Sequence, residues 1–238
     1  MTPNIRPSSI AKTIDHAVLH PAATEADILD GCRLAVALDV AAFCVASSAV
    51  PLVRTALNGS DVALCAVVGF PHGNTDTEMK RAETISAIDN GAEEIDMVVN
   101  IGGVKGAQWD RVATEIRAIN DAVVQRGASL KVIFETGFLT DDEVVRLCGI
   151  SGEIGVDYVK TSTGFGYVKT GEGILSATGA TIHHISLMRR NVPMTTGIKA
   201  SGGIRTLNDL LAMMEAGATR IGTSSTQAIL DEAKRRGL

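Results

Sequence analysis

Two hydrophobic patterns alternate along the chain. Residues 62–70, V-A-L-C-A-V-V-G-F, are almost continuously apolar, as a strand buried on both faces of a parallel sheet must be. Residues 40–46, rich in Val, Ala and Phe, and residues 130–135, L-K-V-I-F-E, read as further strands. Others fall within 11–19, around Asp96, at Lys160, at Lys199 and over 219–222. Between them the apolar residues recur at helical spacing: Ile28, Cys32 and Ala35; Val112, Ile116, Ile119 and Val123; Ile182, Ile185 and Met188; Leu210, Leu211 and Met214. A short helix over 48–57 and a last one from about 225 to 235 complete the series. Thr24 and Asp27 mark a helix start, Thr75–Glu78 and Thr140–Glu143 read as capping boxes, and Thr206 caps another helix. The Thr75 helix is expected to end near Gly91 and the Thr140 helix at about Gly149. Lys131, Ile133 and Glu135 share one face of their strand by the two-residue period.

Eight strands alternating with helices on short connections predict an α/β fold, a closed (β/α)8 barrel, with residues 1–238 as a single domain. The length fits, since such barrels run to about 250 residues. A composition 45% hydrophobic but only 3% aromatic, with 24 glycines, suits aliphatic strands and tight turns rather than a sandwich. The net charge of −5 argues against a broad nucleic-acid surface. No apolar run is long enough for a membrane span, and the disordered-looking first ten residues lack an apolar signal core, so a cytoplasmic location is expected. Cys32, Cys44, Cys65 and Cys148 form no CxxC pair and read as reduced core cysteines.

The chemistry sits at strand ends. In residues 155–166, G-V-D-Y-V-K-T-S-T-G-F-G, Lys160 stands where a short strand becomes a loop rich in hydroxyls and glycine. Asp96 and Lys199 occupy comparable positions in E-E-I-D-M-V-V-N-I-G and T-T-G-I-K-A-S-G-G-I-R-T. The C-terminal strand ends of a closed parallel barrel meet at one face, so the three groups converge there. Two ammoniums side by side disfavour each other's protonation, and a neutral amine attacks a carbonyl to form a Schiff base. A carboxylate beside it moves protons. The same residues also fit an interior salt-bridge network of Asp96, Lys131, Glu135, Lys160 and Lys199, with Lys131 and Glu135 as supports. Ser201-Gly202-Gly203 and Gly222-Thr223-Ser224-Ser225 follow the last two strands, where barrels commonly hold phosphate on backbone amides. His72 is placed near the mouth or simply in solvent. No HxH or HxxxH spacing occurs, so neither a metal site nor a cofactor is expected.

In these residues and motifs the chain resembles the class I deoxyribose-phosphate aldolase family over nearly its full length. The matching segments are T-I-D-H-A-V-L-H-P-A-A-T, V-V-G-F-P-H-G-N-T, E-I-D-M-V-V-N-I-G, L-K-V-I-F-E-T-G, Y-V-K-T-S-T-G-F-G and G-I-K-A-S-G-G-I-R-T. The resemblance implies a (β/α)8 barrel and reversible cleavage of 2-deoxy-D-ribose 5-phosphate to acetaldehyde and D-glyceraldehyde 3-phosphate, a step of deoxyribose phosphate breakdown, without a metal. It implies Lys160 as Schiff-base lysine, Lys199 as its tuning neighbour and Asp96 as proton-transfer carboxylate. Thr163, Gly202, Gly203, Ser224 and Ser225 match positions around the sugar phosphate. The partners expected are phosphorylated sugars and aldehydes, not nucleic acid or membrane, and a homodimer. Two other readings stay open: another Schiff-base lyase of the same fold, such as a transaldolase-like enzyme or a dehydratase, and a non-catalytic sugar-phosphate binder. Three departures stand out. Ala17 replaces a threonine of the first motif, the segment after Gly166 with Lys169 and Glu172 is longer than usual, and K-R-R-G-L replaces a C-terminal tyrosine tail used by some relatives in proton transfer.

Overall fold

The computed structural model describes residues 7–169, 171 and 173–238, so the first six residues, Thr170 and Glu172 lie outside the described residues. The strands are β1 (Ile14–Ala17), β2 (Ala42–Ala46), β3 (Ala63–Val68), β4 (Glu94–Val98), β5 (Ser129–Ile133), β6 (Tyr158–Lys160), β7 (Tyr167–Lys169), β8 (Leu175–Ala177), β9 (Gly197–Ser201) and β10 (Arg220–Thr223). The helices are α1 (Pro7–Ala11), α2 (Glu25–Ala37), α3 (Val50–Ala56), α4 (Thr77–Asp89), α5 (Ile101–Lys105), α6 (Trp109–Val124), α7 (Asp141–Ile154), α8 (Ile182–Asn191), α9 (Leu207–Glu215) and α10 (Thr226–Arg236). Eight strands close in the order β1-β10-β9-β6-β5-β4-β3-β2, with parallel pairing throughout, while β7 and β8 form a separate antiparallel hairpin.

The period of two sorts each strand's side chains to opposite sides. Leu64, Ala66, Val68, Ile95, Met97, Leu130, Val132, Val159, Ile198 and Ile221 belong to the one large apolar core, which also contains the helix residues Ile116, Ile119, Ile185 and Leu210. Helix α6 buries Val112, Ile116, Ile119 and Val123, each such side chain contributing about 1.5–3 kcal/mol. The opposite strand faces hold a small cluster of Ala42, Cys44 and Cys65, with Ala17 and Ala63 packed against it, together with the buried charges described below. The hydrophobic drive therefore lies between sheet and helices, and the barrel interior is left for polar chemistry.

Several local expectations change. Helix α4 is capped by Asp76, whose carboxylate accepts the Glu78 N–H, rather than by a box starting at Thr75, and Asn90 closes it. Helix α7 does start with the Thr140–Glu143 box but runs through Gly149 to Ile154, where Gly155 takes the left-handed conformation (φ 81°) that ends it. Helical hydrogen bonding across Gly149 outweighs the propensity cost of one glycine. Strand β5 stops at Ile133, so Glu135 is not on its inward face; it sits in the left-handed region at φ 57°. Helices α1 and α5 and the β7–β8 hairpin are additions, all too short to show a hydrophobic period; α1 begins at Pro7, inside the stretch expected to be disordered, and buries Ile10.

Candidate active site

The barrel register sets the site. Lys160 on β6 pairs with Lys199 on β9, and Asp96 on β4 pairs with Lys131 on β5, so all four reach the interior. Small residues make the room. A Cβ on Gly222 would come within 3.2 Å of Lys199 Cε, and one on Gly197 would collide with the Tyr158 ring.

Asp96 is the hub. Its Oδ2 accepts from both Lys160 Nζ and Lys199 Nζ at 2.7 Å, so the two nitrogens are at most twice that far apart. Its Oδ1 accepts from Lys131 Nζ at 2.8 Å and from the Cys65 thiol at 3.2 Å. Burial pushes the Asp96 carboxyl up, but Lys131, Lys160 and Lys199 outweigh it and hold the group well below the usual carboxylate range. The salt-bridge network read from the sequence exists, with one member lost and three gained. Glu135 is not in it, and Asp15, Glu94 and Arg220 are. Lys199 Nζ lies 2.5 Å from Asp15 Oδ2, Lys131 Nζ donates to Glu94 at 2.5 Å, and Arg220 bridges Asp15 (2.7 Å) and Glu94 (3.1 Å). Glu94 stands two residues before Asp96 on the same strand face, a spacing that would have revealed it in the sequence. Asp15 and Arg220 gave a weaker signal, lying on strands too short to fix a face by pattern.

For Lys199 these acids overturn the expectation that its lysine neighbour depresses it. Burial pulls the Lys199 ammonium down, but Asp15 and Asp96 outweigh it and hold its pKa well above the ordinary lysine value. Lys131 is held high in the same way by Asp96, Cys65 and Glu94 against its own burial. Cys44 and Cys65 are free and buried as expected, but they face the charges rather than the apolar core; Cys44 Sγ is 3.5 Å from Lys199 Nζ.

Lys160 and Lys199 form part of the wall of a cleft of about 760 Å³ at the C-terminal mouth. Thr163, Gly202, Gly203, Ser224 and Ser225 line the same cleft, so every residue singled out from the motifs around the phosphate arrives there. Gly202 and Gly203 have φ of 88° and 81°, which glycine adopts without a Cβ clash. Ser225 is the N-cap residue of α10, at the positive end of the helix dipole. His20 and Arg205 also line the cleft and were not singled out. Thr163 is differently engaged: its N–H donates to Glu135 at 3.0 Å and its hydroxyl to the same oxygen, which leaves it no free donor for an anion. A second cavity of about 840 Å³ adjoins, sharing Phe165 and Tyr167 and lined by His72, which is exposed at the mouth.

Among the described residues two side-chain groups have metal-ligand chemistry, Cys44–Cys65–Asp96 and Asp141–His183–His184. In the first, Asp96 is already surrounded by three ammoniums, whose charge opposes a further cation. In the second, both oxygens of Asp141 contact His183 Nε2 at 2.8–2.9 Å on the surface.

Two lysines share one buried carboxylate at the mouth of a closed parallel barrel, and comparison with known proteins places the chain among the aldolases. The DeoC/LacD family aldolase pattern matches residues 9–232, and the chain belongs to that family. It is 44% identical over 227 residues to the deoxyribose-phosphate aldolase of Thermococcus gammatolerans, covering 94% of this chain and 96% of that one. It is 46% identical over 222 residues to deoxyribose-phosphate aldolase 1 of Cutibacterium acnes, covering 93% and 97%. Among solved structures, a putative deoxyribose-phosphate aldolase from Coccidioides immitis superposes with a TM-score of 0.87 at 36% identity, covering 98% of this chain and 92% of that one. The tetrameric deoxyribose phosphate aldolase from Aeropyrum pernix gives 0.85 at 30% identity, covering 96% and 92%. No helix among the described residues is long and apolar enough to cross a membrane.

Proposed function

We propose that the protein reversibly cleaves 2-deoxy-D-ribose 5-phosphate to acetaldehyde and D-glyceraldehyde 3-phosphate, with Lys160 as the Schiff-base lysine. One observation carries the assignment of the nucleophile. Lys160 and Lys199 share an oxygen of Asp96, yet only Lys199 is also held by Asp15. Lys199 therefore keeps its proton, and Lys160, paired with Asp96 and bordering the cleft, is the amine placed to meet the substrate.

The neutral Lys160 amine adds to C1 of the open-chain sugar, and the carbinolamine takes a proton from the Asp96–water relay and loses water to give an iminium. The C3 hydroxyl then passes its proton through water to the Asp96 carboxylate, beside which Lys199 stays protonated. The C2–C3 bond breaks, its electron pair flows into the iminium to give an enamine, and glyceraldehyde 3-phosphate leaves. Protonation of the enamine at C2 and hydrolysis release acetaldehyde and restore the amine. Asp96 orients both nitrogens throughout, and the fixed charge of Lys199 stabilises oxyanion character at C3. Backbone amides of Gly202, Gly203, Ser224 and Ser225 bind the phosphate, while Thr163 shapes its wall without donating to it. The relatives' names support the substrate. A cytoplasmic location and self-association belong to the same reading; the tetrameric Aeropyrum pernix relative supports assembly, and light scattering distinguishes a dimer from a tetramer.

Reduction with borohydride in the presence of acetaldehyde tests the mechanism. The expected result is one ethyl group on Lys160, absent from Lys160→Ala, with turnover of the sugar phosphate in that variant reduced by orders of magnitude. An adduct on Lys199, or one scattered over surface lysines, would overturn the assignment.

A further inference from the structure

The segment that follows β5 carries a buried acid that the reaction above does not use. Glu135 is 1% exposed and sits at φ 57°, ψ 59°, a conformation disfavoured for any residue with a Cβ. Among the described residues no cation lies within ion-pairing distance of it. Its carboxylate is instead satisfied by neutral donors from two other segments. Oε2 accepts the N–H of Thr163 at 3.0 Å and the Thr163 hydroxyl, and Oε1 accepts the Thr178 hydroxyl at 3.4 Å.

These bonds continue to the anion-binding rim. The Thr163 hydroxyl accepts the Phe165 N–H at 3.0 Å, and the Thr178 N–H donates to Gly166 O at 2.8 Å. Just beyond, the Ala180 N–H donates to Gly202 O at 3.1 Å, and a Cβ on Gly202 would come within 2.9 Å of Gly179 Cα. Gly166 has no room for a side chain either, since its Cβ would meet the Glu135 carboxylate at 3.1 Å. Glu135 thus ties the loop after Lys160 to the chain returning from the hairpin, and that chain packs directly on Gly202. Glycine would be free of strain at this position but would lose the bonds to both partners.

We infer that Glu135 is a positioning residue for the phosphate end of the substrate, acting through Thr163, Thr178 and Gly202 rather than on the reacting carbons. The inference rests on the reaction proposed above. It separates phosphate recognition from Schiff-base chemistry, so it predicts a contrast between two substrates that a general structural role would not produce.

The test compares Glu135→Gln with the wild-type protein on 2-deoxy-D-ribose 5-phosphate and on unphosphorylated 2-deoxy-D-ribose. The expected result is a loss of about tenfold or more in kcat/KM for the phosphorylated sugar, mostly through KM, with less than about a twofold change for the other. The ethyl adduct at Lys160 should form as in wild type. If Glu135→Gln does not fold, Thr178→Val removes one of the same bonds and should show the same contrast at smaller size. Equal losses on both sugars, or no loss in a folded variant, would overturn the inference. A wild-type protein inactive on both sugars would instead overturn the reaction itself, and this inference with it.

Discussion

Replacing Lys131 with methionine isolates the electrostatic frame from the chemistry above it. Lys131 is fully buried, and its ammonium donates to Asp96 Oδ1 at 2.8 Å and Glu94 Oε2 at 2.5 Å, with Asp15 Oδ2 at 3.9 Å. Breaking one side of a buried pair costs about 3–5 kcal/mol, because the remaining charge is left without compensation. Here the lower end applies. Asp96 keeps two ammoniums on Oδ2, and Glu94 keeps Arg220. About 3 kcal/mol in a chain of this size corresponds to a drop of roughly 6–12 °C in Tm. The loss should depend on pH in a definite direction. In wild type the depressed Asp96 pKa contributes stability above its unfolded value near 3.8, and that contribution fades as pH falls through the lower folded value. With one of its three cations gone the depression is smaller, so the gap between variant and wild type should be widest at neutral pH and narrow below about pH 4. Thermal unfolding followed by circular dichroism from pH 7 to pH 3 measures both features. A drop of less than about 2 °C, constant across that range, would show that Asp96 Oδ1 recovers its solvation without Lys131 and would refute the reasoning.

Three further outcomes follow from other parts of the molecule. His16 is buried, with Nδ1 2.8 Å from Thr226 Oγ1, and burial pushes its pKa down to about 4; stability should therefore fall as pH drops from about 6.5 through 4, by up to about 3 kcal/mol, and urea titrations should show a flatter profile for His16→Gln. Gly202→Ala forces a Cβ into a residue at φ 88° and against Gly179, so KM for the phosphorylated sugar should rise by about tenfold or more, with steady-state kinetics as the check. Shortening residues 168–176 should change the ranking of acceptor aldehydes in the synthetic direction, since Tyr167 borders both cavities at the mouth; an unchanged ranking would remove the hairpin from selectivity.

The readable parts of the sequence were those where one physical constraint dominates. A strand buried on both faces must be apolar throughout, so residues 62–70 announced β3. A lysine at a strand end is conspicuous, so Lys160 and Lys199 stood out, and the register brings them side by side. The capping boxes at Thr24, Thr140 and Thr206 mark real helix starts because two reciprocal hydrogen bonds fix each one. What escaped depends on distant contacts. Asp76 competes with Thr75 for the cap of α4, and only the path of the preceding loop decides between them. Glu135 leaves its strand because Thr163 and Thr178, both far along the chain, pull its side chain to another place. The charge state of Lys199 was misjudged for the same reason. Two neighbouring lysines repel on paper, but Asp15, more than a hundred residues earlier, closes beside them when the barrel does.

Depth in the barrel separates the roles of its lysines. The apolar core lies outside the sheet, so the interior charges are not needed to drive collapse; they must only satisfy one another. Deep in the barrel that condition is strict, because Lys131, Asp15 and Asp96 have no exposed surface. At the mouth it relaxes, because Lys160 borders the cleft and water can occupy the space it leaves. Loss of Lys160 also leaves Asp96 with Lys131 and Lys199, so no carboxylate oxygen is abandoned. Lys160→Ala should therefore abolish turnover while unfolding within a few degrees of wild type, whereas Lys131→Met should lose stability first. A single interior network can then hold the fold at its base and spare one lysine at its rim, because Lys131 is paired with Glu94, Asp96 and Asp15 while Lys160 is paired with Asp96 beside the cleft.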